Sequence, residues 1–191
     1  MVGGSAHPAH LPHVNVTVRA ASAADLSRVI ELRLALIREH ADNPVYRRLR
    51  PDAAERARRL FATQLASTSE RIFLAEDGGK AVGILRCVET AGSPLLDPAR
   101  YAYVSSAYVL PQARRRGTLR ALVDAARSWC DERGLTELRL HSVAGDPASN
   151  AAWEALGFTI VEHMRIGGVR DPEQANAHAA HTRADGRDSG R

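Results

Sequence analysis

The sequence predicts an α/β domain with a mixed central sheet of about six strands, covered by helices on both faces. Three observations predict it. Strand-like and helix-like periods interleave in the order β-α-α-β-β-β-α-β-α-β. One strand-helix-strand unit, Tyr101 through Val143, requires a right-handed crossover and hence a parallel pair. The chain has 191 residues, 45% apolar and 25% charged, which suits one globular domain with loose ends.

The elements follow in order. Val14, Val16 and Val18 alternate with polar residues and read as a strand. Ser22 is placed to cap a helix with Leu26, Val29, Ile30, Leu34 and Ile37 on one stripe, and Asn43-Pro44 breaks it. A second helix starts near Pro51-Asp52 and runs to about Ala66. Arg71 to Glu76 and Ala81 to Glu89 form a hairpin around Asp77-Gly78-Gly79-Lys80. After a loop with Pro94 and Pro98, Tyr101 to Leu110 is strand-like. Gly117 to Arg133 is a helix with Leu119, Leu122, Val123, Ala126 and Cys130 on one face, ended by Gly134. Leu138 to Val143 is a strand, Ala148 to Leu156 a short helix closed by Gly157, and Phe158 to Ile166 a last strand.

The domain is therefore expected over 14–166, with a disordered head, 1–13, and a disordered tail, 167–191. No stretch has the roughly 18 uncharged apolar residues of a membrane span, and Met1 to Pro8 lacks the pattern of a secretory leader. Cys87 and Cys130 make neither a disulfide framework nor a zinc motif, so a reducing cytoplasm is expected. His7, His10 and His13 have no carboxylate or cysteine to complete a site, and no metal is expected. The net charge is +4 and the pI about 9.6. Lys80 is the only lysine, so the basicity is almost wholly arginine, the better residue for forked contacts to phosphate.

Chemistry concentrates in Val109-Leu110-Pro111-Gln112-Ala113-Arg114-Arg115-Arg116-Gly117-Thr118-Leu119, which joins a strand to a helix. A helix start offers unpaired amides and a positive dipole end. A loop feeding into it wraps a phosphate in main-chain N–H groups. Gly117 removes the Cβ that would hold phosphate away, and three arginines add charge-assisted contacts. The competing reading is a solvated charge run before an ordinary helix.

This segment resembles the acetyl-CoA signature of the GCN5-related N-acetyltransferase (GNAT) family: Gln or Arg, two residues, Gly, one residue, then Gly or Ala. Arg114 fills the first place and Gly117 the fourth, and Val109-Leu110-Pro111 matches the end of the family's fourth strand. Asn150-Ala151-Ala152-Trp153-Glu154-Ala155-Leu156-Gly157-Phe158 is similar to the family's short helix ending in Leu-Gly-Phe. The resemblance spans roughly Val14 to Ile166. It implies a splayed sheet of the acyl-CoA N-acyltransferase kind, with the fourth and fifth strands parting near Tyr108-Val109. Acetyl-CoA would be the co-substrate, its pantetheine in that gap against Val109 and Leu110. The arginines Arg114, Arg115 and Arg116 and the amides of Arg115 to Leu119, through Gly117 and Thr118, would hold its pyrophosphate. Asn150 would lie near the pantetheine or the adenosine end.

Two places depart from the family pattern. Leu119 stands where the family has Gly or Ala; as part of the apolar stripe it is expected to turn inward and leave its amide free. Trp153 occupies the place of a Tyr that protonates the departing thiolate in many members, and an indole is a poor proton source.

Acetyl transfer needs an oriented, neutral amine, and a lysine-like amine has a pKa of about 10, so a base or water chain must take a proton. The fourth strand has no carboxylate. Glu89 and His141 remain as candidates, each with a structural alternative: a solvated strand end for Glu89, a satisfied histidine for His141. Acceptor specificity is expected from His40 to Arg50, Thr90 to Arg100 and the neighbourhood of Ile166. There Tyr46 would line a cleft, and Arg47 and Arg48 would meet a carboxylate. Gly78-Gly79-Lys80 fails as a phosphate loop, and Cys130, on an apolar stripe, is expected to be buried and inert.

The reading is an acetyl-CoA-dependent N-acetyltransferase acting on a primary amine of a small molecule, amino acid or peptide by direct attack. The alternative is a catalytically idle acetyl-CoA-binding sensor or interaction module. Nucleic acid is disfavoured because the arginine run lacks interleaved aromatics. No membrane partner is expected, and a homodimer is compatible with the family.

Overall fold

The computed structural model describes residues 16–167. The expected disordered head, with its three histidines, and all but one residue of the expected tail lie outside them. Five strands and four helices follow one another: β1 (Thr17–Ala20), α1 (Leu26–Glu39), α2 (Ala53–Ala66), β2 (Glu70–Asp77), β3 (Lys80–Ala91), β4 (Arg100–Val109), α3 (Thr118–Asp131), β5 (Leu138–Leu140) and α4 (Pro147–Glu154). Short 3-10 turns at Ala23–Asp25 and Pro111–Ala113 lead into α1 and towards α3. The chain divides into two compact units, one up to Ala152 and one from Trp153.

In the first unit the sheet order is β1-β2-β3-β4-β5, antiparallel except for the parallel β4–β5 step. The entry to α1 is held by Asp25, whose carboxylate accepts from the Ser22 amide at 2.7 Å and the Ser22 hydroxyl at 3.0 Å. The same carboxylate binds Arg19 of β1, which also reaches Glu76 of β2, so three elements are tied at one corner.

Side chains alternate across β3, and the alternation builds two apolar layers. Ile84 joins Ile72 and Leu74 of β2 and Tyr108 of β4 beneath Val29, Ile30, Leu32 and Leu36 of α1 and Phe61 of α2. Gly83, the preceding residue, faces α3: a Cβ there would lie 3.2 Å from Leu122 Cδ1 and 3.3 Å from Thr118 Cγ2. Gly83 thus lets the first turns of α3 sit directly on the sheet, where Gly83 pairs with Val109. Leu122, Val123, Ala126 and Cys130 are buried along α3, as the stripe predicts. Truncating Leu32 or Leu122 to alanine costs about 2–5 kcal/mol.

The expected sixth strand does not form. Residues 158–167 carry no regular structure, and Ile160, Val161, Met164 and Ile166 are exposed. A two-residue period supplies a face, but a strand also needs a neighbour's backbone, and no ladder forms for this segment among the described residues. β5 is likewise shorter than its pattern, stopping at Leu140 instead of Val143. No helix among the described residues is long and apolar enough to cross a membrane.

Candidate active site

The parallel ladder joins Ala102, Tyr103 and Val104 to Leu138, Arg139 and Leu140, and then stops. β4 continues to Val109 without β5 beside it. At the point of parting β4 is irregular: its register against β3 shifts between Ile84 and Arg86, and buried Ser106 has φ 53°. A bulge of this kind re-aims a strand and ends its pairing. The gap between the strands thus opens after Val104, four residues earlier than the Tyr108-Val109 point that the family resemblance implied.

The segment after β4 makes a concave turn at the end of that gap. Arg115 and Gly117 both have left-handed backbone, φ 57° and 82°. The Thr118 hydroxyl, 1% exposed, donates to the Ala113 carbonyl at 2.8 Å and closes the turn from inside. The amides of Arg115, Arg116, Gly117, Thr118 and Leu119 donate to no protein acceptor among the described residues. Nothing lies within 4 Å of where a Gly117 Cβ would stand, so the concavity is open on that side. Successive free amides ahead of a helix form an anion cradle. Arg115 and Arg116 are exposed beside it, without a carboxylate partner among the described residues. Leu119 is half-buried on the flank of the stripe rather than fully inward.

Arg114 behaves differently from its two neighbours. Its Nε donates to the Val109 carbonyl at 2.8 Å, and its Nη2 lies 2.7 Å from both carboxylate oxygens of Glu39 at the end of α1. The Tyr108 hydroxyl donates to the same carboxylate at 3.0 Å, with the guanidinium 5.6 Å from the tyrosine ring centre. Burial opposes the charge on Glu39, but the Arg114 and Tyr108 hydrogen bonds outweigh it and hold the carboxyl below its ordinary range. Burial, helped by Glu39, raises the Tyr108 hydroxyl. Arg114 therefore braces the gap instead of facing the cradle. A ligand in the gap meets Val109 with its carbonyl already engaged, and the Leu110 amide is bonded to Val82 at 2.9 Å.

A second cluster sits where β4 and β5 part. The Tyr103 hydroxyl lies 2.7 Å from Nδ1 of His141, the first residue beyond β5, with the rings edge-on at 5.6 Å. Burial, with Tyr46 and Tyr101 nearby, raises the Tyr103 hydroxyl, which stays protonated at neutral pH. In the tautomer whose Nδ1–H donates to Tyr103, Nε2 keeps a lone pair for a proton. Burial lowers the pKa of Arg33 on α1, with Tyr46, Arg86 and Tyr103 among the groups that act on its charge. Arg86 completes the cluster, donating to Ser105 at 3.0 Å and paired with Glu70. Tyr46 is half-buried with its ring 6.1 Å from His40, whereas Arg47 and Arg48 are exposed.

The remaining residues singled out by sequence are placed elsewhere. Glu89 pairs with Ala102 at the start of β4, seven residues or about 23 Å along the strand from Val109. It is held by Arg100 and, at 3.5 Å, by Arg133. The structure does not bring it to the cradle, and alternation puts it on the α3 face, away from Tyr103. Asn150 donates to the carbonyls of Val143 and Ala144 at 3.2 and 3.3 Å, tying the loop after β5 to α4. In the second unit Trp153 is buried against Phe158, edge-on at 5.3 Å. A cavity of about 390 Å³ lined by Gln64, Arg71 and Arg133 lies past the C-terminal end of α3, about 21 Å along the helix from the cradle.

Arg33 and Glu39 carry no motif. Arg33 nevertheless leaves a trace in the sequence, because it interrupts the apolar stripe of α1, with Val29 and Ile30 before it and Leu36 and Ile37 after it. Glu39 leaves none; only its position opposite Arg114 gives it a role.

The sequence model of the Acetyltransferase (GNAT) family matches residues 35–158. The chain is 29% identical over 153 residues to the aminoglycoside N(6')-acetyltransferase type 1 of Stenotrophomonas maltophilia, covering 78% of this chain and 89% of that protein. It is 42% identical over 64 residues to the enzyme of the same name from Klebsiella aerogenes, 34% of this chain and 42% of that protein. The latter match therefore spans less than half the length of the Klebsiella protein. In fold it is similar to a predicted acetyltransferase of Clostridium acetobutylicum solved with acetyl-CoA, at a TM-score of 0.67 and 16% identity, over 81% of this chain and 96% of that one. The family match contains the parted strands, the cradle and the Leu-Gly-Phe ending, and by it the chain belongs to the GNAT family of acetyltransferases.

Proposed function

We propose that the protein transfers an acetyl group from acetyl-CoA to a primary amine of a small molecule, amino acid or peptide by direct attack. The observation that carries this reading is the row of unsatisfied amides from Arg115 to Leu119, set at the end of the β4–β5 gap. The residues present fit the coenzyme: open space at Gly117, free amides for a diphosphate, and two unpaired guanidiniums at Arg115 and Arg116. Acetyl-CoA would supply an activated acetyl thioester, whose C–S bond breaks as the bond from carbonyl carbon to amine nitrogen forms.

The chain's own residues do the rest. The cradle orients the coenzyme, and the unpartnered edge of β4 accepts an extended arm. His141, oriented by Tyr103, takes the proton the amine must lose. Glu39 and Arg114 keep the gap braced. Trp153 offers no hydroxyl for the leaving thiolate, and this favours a second reading, an acetyl-CoA-binding module without turnover.

Two measurements test the proposal together. Calorimetry should detect binding of acetyl-CoA, and a thiol-release assay over an amine panel should detect free CoA with at least one amine. Binding without release on any amine supports the module; no binding by a folded protein sinks both readings.

A further inference from the structure

We propose that the cavity by the C-terminal ends of α2 and α3 is a second ligand site, built for a small organic carboxylate with an apolar body and an N–H or O–H group at its far end. The site stands apart from the acetyl-transfer reading, because it lies about 21 Å along α3 from the cradle.

The cavity exists because the sheet loses its outer strand there. β1 ends with Ala20 opposite Phe73, the Ala21 amide bonds to the Ile72 carbonyl, and Glu70 and Arg71 pair only with β3. A space of about 390 Å³ is left, the size of a small-molecule pocket, with Leu65 of α2 and Ile72 as apolar wall. The main-chain acceptors of Gln64, Thr68 and Ser69 are taken, by the Ser67 amide, Arg133 and the Glu89 amide. The Gln64 side chain is the exception. It lines the cavity, yet its Oε1 is buried and meets no donor among the described residues. An acceptor left so is costly. One other side-chain atom among the described residues is orphaned in this way, Trp129 Nε1, on the ring over which the Arg133 guanidinium stacks at 4.7 Å.

The charge left over in the lining is cationic. Glu70 is neutralised by Arg86, and Arg133 lies 3.5 Å from Glu89. Arg71 is exposed and has no carboxylate partner among the described residues. A ligand that donates to Gln64, lays an apolar body on Leu65 and Ile72 and forks a carboxylate onto Arg71 satisfies the three features at once. A water would satisfy Gln64 but leave the apolar wall and the guanidinium unused. A purely apolar guest would leave the Gln64 oxygen without a donor, and a cationic one would be repelled by Arg71.

The test is calorimetry on the full chain with indole-3-acetate and 4-hydroxyphenylacetate as probes. Beside them stand 1-methylindole-3-acetate and 4-methoxyphenylacetate, which lack the donor, and the two probe amides, which lack the charge. At least one probe should bind with a Kd of about 1 mM or below, and its methylated and amide forms about fivefold or more weaker. Arg71→Gln should raise the Kd of that probe about fivefold or more and leave its amide unaffected. Gln64→Leu should erase the preference for the donor, and should keep or raise the Tm of the free protein because it removes an orphaned acceptor. Arg115→Glu, altered in the cradle, should bind the probe as the parent does. No binding of either probe at millimolar concentration, equal affinity for the methylated or amide forms, binding untouched by Arg71→Gln and Gln64→Leu, binding lost in Arg115→Glu, or a Tm drop of several degrees in Gln64→Leu would each overturn the inference. None of these outcomes bears on acetyl transfer, which the acetyl-CoA titration and the thiol-release assay test by themselves.

Discussion

Arg114 and Glu39 face each other at 2.7 Å, the guanidinium within reach of both carboxylate oxygens. Glu39 ends α1 and Arg114 belongs to the turn before α3, so the pair joins segments 75 residues apart and is anchored to Tyr108 and the Val109 carbonyl at the end of β4. Glu39→Gln should weaken it. The pair is partly exposed, and such pairs are worth on the order of 0.5–1 kcal/mol, so the acetyl-CoA Kd should rise about two- to fivefold. Because Glu39 has a lowered pKa when folded, its contribution is present above the ordinary Glu value of about 4.3 and fades as pH falls through the folded value. Calorimetry at pH 7 on both proteins checks the first statement.

The cradle itself should be far more sensitive. Arg115→Glu places a negative charge beside the diphosphate site, and Gly117→Asp adds charge, bulk and a backbone that side chains rarely adopt at φ 82°. Each should raise the acetyl-CoA Kd more than tenfold. If both variants bind as tightly as the parent, the turn before α3 has no part in holding the coenzyme.

His141 and Tyr103 make a separate prediction about rate. Loss of a positioned base costs about 10²–10⁴ in rate, so His141→Ala should lower kcat by that order while acetyl-CoA binding is retained. Tyr103→Phe removes the hydrogen bond to Nδ1 and should lower kcat by a smaller factor. A His141→Ala enzyme with the parent's kcat would remove the imidazole from the reaction.

Acid stability should depend on Asp25. Its carboxyl is held well below the usual range, first by the hydrogen bonds from Arg19, then by those from Ser22, with burial opposing. A depressed folded pKa gives stability that is complete above the unfolded value of about 3.9 and is lost as pH falls through the folded value. Asp25→Asn should therefore lower Tm at pH 7, and the gap to the parent should narrow steadily below about pH 4. Thermal melts from pH 7 to pH 2 measure both.

Much of the fold is legible in local pattern. The stripe of α3, the hairpin around Gly78-Gly79 and the Arg-X-X-Gly turn are short-range features, since periodicity and turn chemistry act over a few residues. Val109 to Leu119 could be recognised as an anion cradle because a helix start and a glycine already specify free amides. The Trp153 and Leu119 departures were visible for the same reason.

What the amino-acid order determined alone is thus the identity of the elements and of the loop that joins β4 to α3. The tertiary structure decided which backbone edges find partners and which charges find counter-ions. Phe158 to Ile166 has strand-like periodicity but no ladder, β5 stops at Leu140, Arg114 turns back to Glu39, and Arg33 stays unpaired within an apolar stripe. Each outcome depends on register and on what arrives from distant sequence. Pairing energies live between segments, and a one-dimensional period contains no information about them.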